Sequence, residues 1–552
     1  MKPITPRRKN WILNSKTSFW RLLPAAVCAF IAAINVVEAA PSQALDLTLA
    51  PIGRFTNDAP FNLSASEIVA HDPDTQRLFV VNGRDRRIDV LDIRNPANPV
   101  RVAVVDMSPY GAVVNSVAFH GGLIAVAVEA SPKTSPGKVV LLDGNLNAIT
   151  AVTAGALPDM VTFSPDGRWL LCANEGEPNT YNNFGSETNG PSIDPEGSIT
   201  IIDLSTGAAT PTVKTATFTA FNSGVPAGVR IFGPNATVAQ DIEPEYIAVS
   251  ADSSTAWVTL QENNALAVVD IASATVTSLI PLGAKNHNLP GFGLDPSDQD
   301  GGINIQPWPI FGLFQPDSIA TYSVRGQTYL VTSNEGEARA DWPGYRDDAR
   351  LSTLKLDPTV FPDGDILKQT NNLGRLTVSR IDGDVDNDGD LDAIYTYGAR
   401  SFTIWTAGGE LVFDSGDQLE QITAALFPLN FNASHGNNTR DNRSPAKGPE
   451  PEGLAIGKAF GRTLALVGCE RIGGIAMYDI SDPFAPALED YVNTRTFTGT
   501  FNFATSGDLG PEGVIFISAD NSPNGKPLVV VAHEVSGSTV LYQINAKPAN
   551  RR

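Results

Sequence analysis

Asp384, Asp386, Asp388, Asp390 and Asp392 occupy every second position of the segment DVDNDGDLD, with Gly389 set among them. Oxygen donors at positions one, three and five, a glycine at six, a carbonyl at seven and an acid at nine form the donor set of a Ca²⁺ loop, because Ca²⁺ takes about six to eight hard oxygens. Asp384, Asp386, Asp388 and Asp392 would offer side chains, and Asp390 its backbone. The glutamate at position twelve of a complete EF-hand loop is missing, so any ion here is expected to brace structure. An acidic turn without metal is the other reading of the same residues.

A second acidic signal is the tetrapeptide Asn-Glu-Gly-Glu, which occurs at Asn174–Glu177 and again at Asn334–Glu337, each time at the end of a hydrophobic run. The runs belong to a repeat. LPDMVTFSPDGRWLLCANEGEP, EPEYIAVSADSSTAWVTLQENN, QPDSIATYSVRGQTYLVTSNEGEA, EPEGLAIGKAFGRTLALVGCE and GPEGVIFISADNSPNGKPLVVVAHE are its clearest copies, with weaker ones at SEIVAHDPDTQRLFVV, NSVAFHGGLIAVAVE and LDAIYTYGARSFTIW. Short Val/Ile/Leu-rich strands between Gly, Asp, Asn and Pro turns, without helical periodicity, predict an all-β chain. Repeats of three or four strands are propeller blades. Eight copies predict a single eight-bladed β-propeller, or seven blades if the short sixth copy is not a blade of its own. LDLTLAPIGRF near Leu45 is expected to complete the last blade and close the ring, which would protect an open edge.

Blade strands are lettered a to d from the axis outwards. Neighbouring strands are antiparallel, so the start of strand a and the end of strand b reach the same face. Strand a begins with Glu67, Asn115, Asp159, Glu245, Asp317, Asp392, Glu452 and Glu512. Strand b ends with Glu129, Glu175, Glu262, Glu335, Glu470 and Glu534. The expectation is an acidic rim of two concentric carboxylate sets around a channel mouth, where like charges raise one another's pKa or recruit cations. A further divalent metal could sit there; hydrogen bonds from turn N–H groups would be the plainer use of each acid. Insertions at 176–197, 281–315, 336–350 and 417–450 fall on the same face, which marks it as the candidate site for an unidentified ligand or substrate.

Bulk composition places limits on partners. Residues 1–39 carry six basic residues ahead of the apolar run Leu22–Val37, with a small-residue site at Ala39, and read as a cleaved export signal. Its loss leaves 33 Lys plus Arg against 59 Asp plus Glu, a net charge of about −26. Such a chain is a poor match for nucleic acid and a good one for cations. No later apolar stretch spans a bilayer, so residues 40–546 are expected to form a periplasmic or secreted propeller, a monomer with a disordered tail at 547–552. Cys172 and Cys469 sit in strand-like runs as small buried thiols, although export would permit a disulfide.

No nucleophile elbow, zinc-protease helix, phosphate loop or CxxC pair is present. Arg84, Arg400 and Arg471 lie near the rim positions and could hold an anion. Taken together, LVTSNEGEARAD, IDGDVDNDGDLDAIYTYGARSFTIW, KGPEPEGLAIG, CERIGGIAMYDISDPFAP and LGPEGVIFISADNSP resemble the choice-of-anchor I family of exported bacterial propellers. The chain is similar also to proteins described as mesenchyme-specific cell surface glycoproteins, and its Asp-rich segment looks like the short calcium loop of integrin-type propeller repeats. The resemblance implies a secreted or surface-displayed propeller. It also leaves two functions in play: Ca²⁺-stabilised binding or adhesion, or metal-dependent phosphoric ester hydrolysis, since some members carry alkaline phosphatase-like or phytase-like descriptions.

Overall fold

A computed structural model describes residues 45–57, 61–179, 192–340 and 345–548. The export signal read at 1–39, parts of two insertions and residues 549–552 of the tail lie outside the described residues.

Among the described residues, seven sheets have four strands each. Their inner strands are Val69–Asp72, Val113–His120, Pro158–Phe163, Pro244–Val249, Ile319–Val324, Pro451–Ala459 and Pro511–Ile517, which define blades one to seven. Each inner strand packs on the next and the seventh returns to the first, so the ring is closed. Second strands such as Trp169–Asn174 and Leu528–His533 are buried along their whole length. Both faces of such a strand meet a neighbour, which is why these segments read as continuous apolar runs and not as alternations. Outer strands such as Val100–Asp106 are largely exposed. The core is therefore a series of layers between blades; one joins Phe79, Val81 and Val90 of blade one to Val117, Val126 and Val140 of blade two.

Leu45–Thr56 pairs antiparallel with Ser538–Pro548 as the outer strand of blade seven, the closure expected from LDLTLAPIGRF. Pairing continues to Leu45 opposite Pro548, so the last strand runs through Lys547 and Pro548, two residues past the boundary expected for the tail.

The eighth sheet has five strands and is of mixed direction. It orders Ala284–Asn286, Phe311–Leu313, Tyr395–Thr396, Thr377–Ser379 and Asp348–Arg350, with Phe311 parallel to Tyr395. The short sixth copy of the repeat is thus divided. Tyr395–Thr396 enters this inserted sheet, whereas Ser401–Thr406 becomes the third strand of blade five beside Gln327–Asn334. Among the described residues eight sheets result, and the ring has seven inner strands. The segment ahead of blade five contributes Leu294, Trp308 and Ile310, and the segment between its second and third strands contributes Leu351, Leu373, Leu376, Val378 and Ile394, to one apolar cluster. That is how a long break between the second and third strands of blade five is accommodated.

Candidate functional site

The two copies of Asn-Glu-Gly-Glu do the same work in blades three and five. Asn174 donates to Ser198 O and Thr200 Oγ1, both at 3.0 Å, and Asn334 donates to Thr403 Oγ1 at 2.7 Å, so each amide ties strand b to strand c. Gly176 (φ +74°) and Gly336 (φ +87°) then turn the chain through the left-handed region. A Cβ on Gly336 would lie 2.1 Å from Gly398 N, a position only glycine can fill. The first glutamate of each copy, Glu175 or Glu335, is set near a strand-a acid, Asp159 or Asp317, and the second, Glu177 or Glu337, is met by Lys133 or Lys447.

The start of strand a uses a different device. Its pairing with strand b slips between Val114 and Ser116, Pro158 and Val161, Pro244 and Ile247, Pro451 and Leu454, and Pro511 and Val514. A bulge of this kind re-aims a side chain. Here the slipped residue is Asn115, Asp159, Glu245, Glu452 or Glu512. Glu67, Asn115, Asp159, Asp317 and Glu512 line one cavity of about 50 Å³ together with Tyr246. Blade one has Gly83 at the outer position, and a Cβ there would come within 3.1 Å of Glu67 Oε2.

Burial, reinforced by the neighbouring carboxylates, raises the pKa of Glu67, Glu175, Glu245, Glu452 and Glu512 well above the ordinary range. The same causes lift Asp159 to about 6, and Asp317 and Glu534 to about 7. Glu262 is raised too, by burial. One carboxylate oxygen of each of Glu262, Glu452, Glu470 and Glu512 is buried without a hydrogen-bond partner. Backbone N–H groups therefore leave at least one oxygen of each of these four acids unmet.

The rim is not acidic throughout. Lys447 Nζ lies 2.7 Å from Glu335 Oε1 and 3.2 Å from both Glu337 Oε2 and Glu450 Oε2. Arg471 reaches Glu450 Oε2 at 2.9 Å and Glu470 Oε1 at 2.7 Å, and Arg443 also pairs with Glu450. Burial would raise the Glu450 pKa, but the three cations outweigh it and hold the carboxyl well below its usual range. Arg350, Arg443, Lys447 and Arg471 line a cavity of about 350 Å³ with Glu337, Asp348 and Tyr397. Sequence reasoning missed Lys447, Arg443 and Glu450. Their signal was slight: the insertion containing them ends in KGPE, immediately before strand a of blade six.

Two expected positions need correction. Arg400 is buried and spends its guanidinium on Glu420 Oε1 (2.7 Å) and the carbonyls of Asp295, Ser444 and Ala446, where it fastens the insertion and cannot reach an anion. Asp392 is not a rim residue, because its copy of the repeat left the ring. The 384–392 loop joins Thr377–Ser379 to Tyr395–Thr396, so an ion there would brace the inserted sheet and not a blade. Arg471 is at the rim but engaged, and Arg84 lies 3.8 Å from Asp85.

Within the loop, donor oxygens of Asp384, Asp386 and Asp392 lie within 4.8 Å of one another. Gly389 (φ +96°) supplies the turn. Asp388 and Gly389 donate their N–H groups to Asp384 at 3.1 Å, and Asp388 stands outside the three-acid group, accepting from Asp390 N at 3.2 Å. The charge of Asp388, with burial and Asp392 after it, raises the Asp386 pKa. Three convergent carboxylates on a glycine turn fit Ca²⁺.

Among the described residues no helix is long and apolar enough to cross a membrane, and Cys172 and Cys469 are both free buried thiols. The choice-of-anchor I domain matches residues 67–483. The chain is 33% identical over 184 residues to Gigasin-3a of Magallana gigas, covering 31% of this chain and 64% of that protein. It is 30% identical over 283 residues to a mesenchyme-specific cell surface glycoprotein of Strongylocentrotus purpuratus, covering 45% and 36%. It thus spans less than two thirds of either relative. Among solved structures, Kuenenia stuttgartiensis hydrazine synthase is 14% identical with a TM-score of 0.45, over 90% of this chain and 99% of that one. The domain match covers most of the sequence and every inner strand through blade six, and the chain belongs to the choice-of-anchor I family.

Proposed function

We propose that the protein is an exported, Ca²⁺-braced propeller that acts at or beyond the cell surface as a binding or adhesion module, with its ligand received on the rim. The observation that carries this reading is the convergence of Asp384, Asp386 and Asp392 on a glycine turn that joins two strands of the inserted sheet. The ion would supply a structural cross-link. The similarity to a cell surface glycoprotein supports the placement. Unpaired buried carboxylate oxygens support a cationic group as the part of a ligand that the acidic sector takes.

Elemental analysis and calorimetric Ca²⁺ titration of the purified protein test the reading. One Ca²⁺ per chain is expected in the wild type and none in Asp386→Ala, with a thermal midpoint that rises on adding Ca²⁺ only in the wild type. Equal Ca²⁺ uptake by both proteins would refute it.

A metal-dependent phosphoric ester hydrolase is the second reading. It is favoured by one sector alone, where Arg350, Arg443, Lys447 and Arg471 line a cavity beside Glu335 and Glu450. Glu175, Asp317, Glu335, Glu452 and Glu512 would have to hold the catalytic cations. Chelator-sensitive turnover of a phosphomonoester that is lost in Glu335→Gln would establish it; a folded wild type with no turnover removes it.

A further inference from the structure

His435 comes from the 417–450 insertion, Glu470 follows strand b of blade six, and Glu534 follows strand b of blade seven. One donor atom from each lies within 4.8 Å of the other two. Glu470 is only 3% exposed. Its Oε1 faces His435 Nδ1 at 3.2 Å and Arg471 Nη1 at 2.7 Å, but its Oε2 is buried and has no partner. Leaving a carboxylate oxygen desolvated and unpaired is costly unless something else meets it. Arg471 Nη1 lies 3.0 Å from His435 Nδ1 and 3.3 Å from Nε2, and because a guanidinium can only donate, the ring nitrogen that it meets offers its lone pair. The same lone pair is what a metal would take.

We propose that His435, Glu470 through Oε2, and Glu534 form a site for a divalent transition-metal ion of the Zn²⁺ class, separate from the 384–392 loop. The proposal deepens the rim reading and rests on it. Imidazole with two carboxylates suits Zn²⁺ and its neighbours, whereas Ca²⁺ prefers oxygen alone. Three protein donors leave a coordination position open. The ion would also staple the insertion across blades six and seven. Arg471, the nearest cation, remains paired to Glu450 and Glu470 Oε1, so it is a neighbour of the site and supplies no ligand.

The test is a calorimetric titration of chelator-stripped full-length protein with Zn²⁺ and, separately, Ca²⁺, alongside visible spectra after Co²⁺ addition. The expected result is one Zn²⁺ equivalent in the wild type, bound at least tenfold more weakly by His435→Ala and by Glu470→Gln and unchanged in Asp386→Ala. Co²⁺ should give ligand-field bands that vanish in His435→Ala. Zn²⁺ uptake unaffected by His435→Ala, or no Zn²⁺ uptake by the wild type, overturns the proposal. The Ca²⁺ arm reports on the 384–392 loop in the same samples, so either site can fail alone. Should Glu470→Gln unfold through loss of the Arg471 pair, His435→Ala, in a partly exposed loop, decides the matter by itself.

Discussion

Lys447 Nζ lies 2.7 Å from Glu335 Oε1 although 112 positions separate them in the chain. The contact brings a loop inserted ahead of blade six onto the second copy of Asn-Glu-Gly-Glu in blade five. One ammonium there answers three carboxylates, because Glu337 and Glu450 share it. On this sector the protein supplies its own counter-ion. Elsewhere on the rim, oxygens of Glu262, Glu452 and Glu512 are left unpaired.

Removing that ammonium should be expensive. Lys447→Met leaves buried carboxylates without their partner and is expected to cost about 3 kcal/mol, the usual scale for breaking a buried pair from one side. Adding Glu335→Gln to the same chain should recover part of the loss. Urea unfolding of the two single variants and the double variant measures the coupling.

The metal-free protein should be more stable in mild acid than in mild base. The folded pKa values of Asp317, Glu534 and Asp159 are raised, to about 7, 7 and 6, so the folded chain keeps protons that the unfolded chain releases. The stabilisation from these groups is full below about pH 4 and is lost as pH rises through about 6 to 7. Glu450 has the opposite sign: its contribution is present above the ordinary carboxylate range and is lost only as pH falls through its depressed pKa. Denaturant midpoints are therefore expected to fall between about pH 5.5 and about pH 8, and saturating divalent cation should shrink the difference. A midpoint that rises over this interval without metal would contradict the assignment of raised values.

Gly336→Ala and Gly121→Ala separate backbone strain from collision. Both residues have positive φ, but nothing lies within 4 Å of a Cβ on Gly121, whereas one on Gly336 meets Gly398 N at 2.1 Å. Alanine at 121 should cost about 1 kcal/mol from the left-handed conformation alone. At 336 the cost should be several times larger and should displace Glu335 and Glu337 together. Thermal unfolding gives the first comparison, and ligand or metal titration gives the second.

Much of this architecture could be read from the residues because each blade repeats the same local instructions. Pro-Glu or Pro-Asp before an apolar strand marked the bulged acids at 159, 245, 452 and 512, and the strands themselves follow from continuous burial. The sixth copy misled because its two apolar pieces, Tyr395–Thr396 and Ser401–Thr406, are a credible hairpin by pattern. In the fold, the turn at Gly398 and Arg400, both of positive φ, sends them to different sheets. Arg400 looked available for the same reason: nothing near it in sequence announces Glu420 on the helix Gln418–Leu426. Lys447 was illegible because its acids come from blade five and from its own loop. Long-range charge pairing leaves no period to detect.

The strand that closes the ring also sets how the molecule would respond to tension. Leu45 is opposite Pro548 at one end of an antiparallel pair, so any chain preceding the one and any chain following the other emerge at the same point. A load applied between those two extensions would open the closing strand like a zipper, one pair after another from that end. It would not shear all of its hydrogen bonds at once. A propeller tethered by either extension would hang from the outer edge of blade seven, and pulling on both would release that strand before the other blades bore any force.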